Sequence, residues 1–79
     1  MPENTTTAPV QPVLYSWLIT LQVKISTGFG VFTTEGTIPV APGGSRARAY
    51  RNIRAELTRQ NPQLEQANVL FFSMEPDRL

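Results

Sequence analysis

Val13-Leu14-Tyr15-Ser16-Trp17-Leu18-Ile19-Thr20-Leu21-Gln22-Val23-Lys24-Ile25 is the stretch that decides the fold. Every odd position in it is apolar, and Ser16, Thr20, Gln22 and Lys24 fall between them. Side chains of a strand alternate between its two faces, so this period of two predicts a long β-strand with one continuous apolar face. Leu14 and Leu18 break the polarity of the opposite face.

Downstream, Ser26-Thr27-Gly28 supplies turn residues, and a second strand follows from about Phe29 to Val40. In that strand Phe32, Thr34, Gly36, Ile38 and Val40 share a face. The apolar parity changes between Val31 and Phe32, which reads as a bulge near the turn. Pro39 has no N–H to give to a ladder, so the strand is expected at a sheet edge. Ala41-Pro42-Gly43-Gly44 closes the hairpin and Ser45 is an N-cap for a helix over Arg46–Gln60. At 100° per residue, Ala49, Tyr50, Ile53 and Leu57 form one apolar stripe. Asn61-Pro62 stops that helix and caps a further helical turn that turns Leu64 inward. Val69 to Met74 then reads as a third strand, apolar on both faces, the pattern of a strand at the centre of a sheet. Upstream, residues 1–12 are polar and rich in Pro and Thr, and read as a disordered tail ahead of a single domain at 13–79.

Composition narrows the chemistry. The 79 residues include no Cys and no His, which excludes disulfides and the usual zinc sites. The domain must therefore be held by packing, alone or with self-association. The most apolar stretch, residues 13–25, is too polar to span a bilayer, and the first residues carry no basic-then-apolar leader pattern, so a cytoplasmic location is expected. Nucleophile–base pairs would have to combine Ser or Thr with Lys24, and no spacing supports one. Gly28, Gly30, Gly43 and Gly44 lack the spacing of a phosphate-binding loop. Glu75 and Asp77 fall short of a cation loop and read as a solvated end. No enzyme activity, cofactor or metal is expected.

Short helix-entry features carry a resemblance. Val40, Pro42 and Ser45, followed by Ala49 and Ile53, resemble the strand end and helix entry of ubiquitin-like β-grasp domains, with Val69-Leu70-Phe71-Phe72 in the place of that family's third strand. The similarity spans residues 14–74 as a pattern. Arg46 stands where the family has an apolar residue, and no Gly-Gly ends the chain, so the resemblance implies topology and not conjugation chemistry. The expected fold is α+β: a ββαβ, three-stranded mixed sheet in the order 2-1-3, its third strand parallel to the first. One helix packs on the Trp17/Ile19/Leu21 face.

Two surfaces could hold a partner. The first is the sheet face away from the helix, where Leu14, Leu18 and Phe71 are expected as contacts for a protein partner or a second copy of the chain. The second is the helix. Five of the seven basic residues, Arg46, Arg48, Arg51, Arg54 and Arg59, lie within 14 positions against one acid, Glu56, a local charge of about +4. Arg48, Arg51, Arg54 and Arg59 could bridge phosphates, which makes a nucleic-acid-binding regulator the competing expectation.

Overall fold

The computed structural model describes residues 11–78, so most of the expected tail lies outside the described residues. Strand β1 spans Val13–Ile25, β2 Gly28–Val40, helix α1 Arg46–Gln60 and β3 Asn68–Pro76, with a 3₁₀ turn at Pro62–Gln66 ahead of β3. The strands form one sheet in the order β2-β1-β3, an α+β architecture with the helix on one face. Among the described residues no helix is long and apolar enough to cross a membrane.

The hairpin is regular. Its register runs unbroken from Val13 opposite Val40 to Ile25 opposite Gly28. The bulge expected near Val31 and Phe32 is therefore absent. The parity change has another cause: Phe29 and Val31 sit opposite Lys24 and Gln22, on the face away from the helix, whereas Phe32 sits opposite Leu21 on the helix side. The irregularity of the sheet lies in β3 instead, where Phe71 faces Thr20 but Val69 faces Leu21, leaving Leu70 as the extra residue.

β2 leads into α1 through a tight turn. The Gly44 N–H donates to the Ala41 carbonyl at 2.8 Å, with Pro42 second in the turn and Gly43 third at φ +83°. That is the type II pattern, which favours Pro then Gly at those positions. Gly44 is needed for space, since a Cβ there would come within 2.7 Å of a Val40 methyl. Ser45 then caps the helix, its hydroxyl accepting from the Arg48 N–H at 3.1 Å. At the far end Asn61 serves two elements. Its N–H donates to the Leu57 carbonyl at 2.9 Å, and its side chain accepts from Gln63 N–H at 3.2 Å. Pro62 opens the 3₁₀ turn and Leu64 is buried by it, as the sequence implies.

β3 is antiparallel to β1, from Gln22 opposite Asn68 to Tyr15 opposite Pro76. The sheet is thus wholly antiparallel, not mixed, and the parallel arrangement expected for the third strand is overturned. The reason is one of path length. α1 starts beside the beginning of β1, because β2 ends there opposite Val13. The 15-residue helix, roughly 22 Å long, and the 3₁₀ turn after it together carry the chain along β1 as far as Gln22. β3 must begin there and run back. Nor is β3 central: β1 is, and Leu70 and Phe71 on β3 are 52% and 53% exposed.

The core is small and sits between β1 and the helical segment. Ile19 and Leu21 are fully buried against Ile53, Leu57 and Leu64, with Trp17, Val23, Ile38, Tyr50 and Phe72 packed around them. Tyr50 meets Phe72 edge to face at 5.0 Å between centroids. Trp17 lies over Gly36, its cross-strand partner, and a Cβ at Gly36 would fall 2.7 Å from the indole Cζ2. Glycine at this position seats the ring. Gly36→Val is expected to expel the indole and cost about 1–3 kcal/mol. A red-shifted Trp17 emission and a lower urea midpoint, followed by fluorescence, check this.

Candidate protein-binding face

The register of the hairpin assigns the two faces residue by residue. Odd positions of β1 meet the helix, so even positions lie on the open side together with their cross-strand partners. Along that side Leu14 stands opposite Pro39, Ser16 between Thr37 and Glu75, Leu18 between Glu35 and Ser73, and Thr20 between Thr33 and Phe71. Gln22 follows beside Val31, then Lys24 beside Phe29.

The three residues expected on this face all lie there. Leu14 and Phe71 are half exposed, and Leu18 is partly covered by its neighbours. Phe29 and Val31 were missed, and they are the most exposed large apolar residues of the described chain at 64% and 65%. Their signal was present in the sequence as the parity change of β2. An apolar residue out of step with its strand marks either a bulge or an apolar group on the wrong face, and only the register separates the two.

Between its apolar ends the face is lined with hydroxyls. Thr20 and Thr33 share a hydrogen bond at 3.0 Å across the strands. The Ser16 hydroxyl donates to the Asp77 carboxylate, and the Asp77 N–H donates to the Leu14 carbonyl at 3.0 Å. The Asp77 carboxylate thereby fastens the segment after β3 to β1. Among the described residues no cluster of three or more acids gathers as metal ligands.

On the helix the four arginines do not form one surface. Arg48, Arg51 and Arg59 are exposed on the side away from the sheet. Arg54 instead turns toward the protein, donating to the Tyr50 hydroxyl at 3.2 Å and to the Leu64 carbonyl at 3.0 Å. It ties α1 to the 3₁₀ turn, although its buried Nε has no partner among the described residues. Arg59 is held by the Glu56 carboxylate through two nitrogens, and Gln60 donates to the same carboxylate at 2.9 Å. Arg46 lies over the Phe72 ring at 5.2 Å and donates to the Phe72 carbonyl at 3.3 Å. Arg48 and Arg51 remain without a side-chain hydrogen bond to the described residues.

The hydrogen bond from Arg59, then that from Gln60, holds the Glu56 carboxyl below the usual carboxylate range, and the same pairing raises Arg59. The folded value of Glu56 lies below the unfolded one. Its stabilising contribution is therefore complete at neutral pH and fades as the pH falls from the ordinary glutamate value through the folded one. Beside this pair, a groove of about 300 Å³ runs between β2 and α1, lined by Trp17, Thr34, Ile38, Asn52 and Glu56 among others.

No family model, curated protein or solved structure matches this chain.

Two outcomes follow from the helix. Arg54→Ala is expected to destabilise the domain by about 1.5–3 kcal/mol, the range for a hydrogen bond from a charged group, as read from chemical denaturation. In an NMR titration Glu56 is expected to protonate below the ordinary glutamate range, and Glu56→Gln to flatten the dependence of stability on pH over that interval.

Proposed function

We propose that this chain is a small non-enzymatic accessory protein of the cytoplasm that acts by binding another protein through its open sheet face. One observation carries the reading: Leu14, Phe29, Val31 and Phe71 stand exposed on a face that the helix leaves uncovered. Phe29, Val31 and Phe71 lie toward the turn end of the hairpin and Leu14 at its other end, and exposed apolar groups of this size on an uncovered face are the usual mark of an interaction site. The hydroxyl rows between them suit a partner surface with an apolar contact and backbone groups to hydrogen-bond. A chain lacking both His and Cys is also poorly equipped for nucleophilic or acid–base catalysis near neutral pH.

The competing nucleic-acid reading loses support from the geometry. Arg54 is engaged with Tyr50 and Leu64, and Arg59 with Glu56. Arg48 and Arg51 are left, two contacts where phosphate-driven binding gains from many.

Photo-crosslinking separates the readings. With a photoreactive residue at position 71 the full-length chain is expected to form protein adducts in cells, lost on Leu18→Asp and unchanged in Arg48→Glu/Arg51→Glu. Nucleic-acid adducts from position 51 with none from position 71, or salt-sensitive RNA or DNA binding abolished by the double arginine change, would overturn the proposal.

A further inference from the structure

Among the described residues the sheet has two free edges, and the chain treats them differently. Because the ladder ends with Ile25 opposite Gly28 across a two-residue turn, those residues form a hydrogen-bonded pair. The pattern alternates from there. On β2 the backbone groups of Phe29, Val31, Thr33, Glu35, Thr37 and Pro39 therefore point away from β1, out of the sheet. The bond from Asp77 N–H to the Leu14 carbonyl agrees: Leu14 turns its backbone toward β3, so its other partner, Pro39, faces outward.

By the same alternation Asp77, Glu75, Ser73 and Phe71 turn inward to β1, and the Phe72 carbonyl points to the outer edge of β3. Arg46 occupies that carbonyl and stacks on the ring beside it. The Leu70 irregularity breaks the same edge. Bulges, prolines and charged groups are devices that keep sheet edges from pairing. β2 has no bulge and no cationic group. It runs 13 residues with an unbroken register, and its only charged residue is Glu35. Pro39 blocks only the last position.

We propose that the open edge of β2 pairs antiparallel with β2 of a second copy about a two-fold axis at Thr34. The sequence of β2 is self-complementary about that point. On the helix side Phe32 meets Gly36 of the second copy and Gly30 meets Ile38, each large side chain opposite a glycine. On the open side Val31 meets Thr37, Thr33 meets Glu35 and Phe29 meets Pro39. The outward groups then make roughly ten interchain backbone bonds, Pro39 supplying only its carbonyl. Phe32, 42% exposed in the single chain, comes beside the indole that lies over Gly36.

The result is one six-stranded sheet with both helices on the same side. The two β1 strands stand three strand spacings apart, about 14 Å, and helices need only 8–10 Å between axes, so the two copies do not collide. The open face doubles in width. This inference deepens the reading above by naming a second copy as partner, yet it uses the edge and not the face, so the two can fail separately.

The full chain has no cysteine, which makes disulfide trapping clean. At a non-hydrogen-bonded pair the Cα atoms lie about 4.5 Å apart, within disulfide reach. Thr34→Cys is expected to oxidise to a covalent dimer in dilute solution. In sedimentation the unmodified chain is expected as a dimer, and Glu35→Pro, which removes an outward N–H and no bond to β1, as a folded monomer by circular dichroism. Amide exchange without substitution provides the second reading: Val31, Thr33, Glu35 and Thr37 should gain protection as concentration rises. A monomeric mass for the unmodified chain, with no covalent dimer from the Thr34→Cys variant, overturns the edge dimer and leaves the face reading standing. A dimer that survives Glu35→Pro but is lost on Leu18→Asp assigns self-association to the face and overturns it equally.

Discussion

Everything in this molecule is arranged around the burial of Ile19 and Leu21. They are its only fully buried large side chains among the described residues, and they sit on the one strand that is paired along both edges. Their burial needs a cover, which α1 and the 3₁₀ turn supply through Ile53, Leu57 and Leu64. A core of this size leaves little margin. The small devices around it therefore carry weight: the Ser45 cap, the paired duties of Asn61, and Arg54 joining the helix to the turn. Each satisfies polar groups that a helix end or a chain reversal would otherwise leave bare.

The same constraint produces the open face. One helix of 15 residues can shield one side of a hairpin whose strands run 13 residues each, and at strand and helix rises of about 3.3 and 1.5 Å per residue it spans only half their length. The far side of the sheet and the turn end of β2 receive no cover from the helix. Apolar residues placed there are not required by the core of the single chain. Their presence, on a surface otherwise made of hydroxyl, amide and charged side chains, is what separates this face from an ordinary solvated sheet.

The arginines show how local sequence can mislead about a surface. Several of them on one helix suggest a common electrostatic role, but their surroundings divide them. Arg46 and Arg54 reach carbonyls of β3 and of the 3₁₀ turn, and Arg59 is neutralised by its neighbour on the helix. A guanidinium with carbonyls in reach is a structural fastener as readily as a phosphate ligand. Helical projection could separate Arg54 from Arg48, Arg51 and Arg59. It could not show what Arg54 meets.

What the sequence determined by itself was everything governed by local geometry. The alternation in β1, the Pro-Gly turn, the Ser45 cap, the Asn-Pro stop and the inward Leu64 are each set by a few neighbouring residues, and each is found where the residues put it. The order β2-β1-β3 and the edge position of β2 were also legible, from the short turn and from Pro39. The direction of β3 was not, because it depends on where a 15-residue helix delivers the chain, a distance that no residue pattern encodes. The exposure of Phe29 and Val31 likewise belonged to the register. One unbroken ladder turned an apparent bulge into two apolar side chains facing out, and only strands paired in space could make that choice.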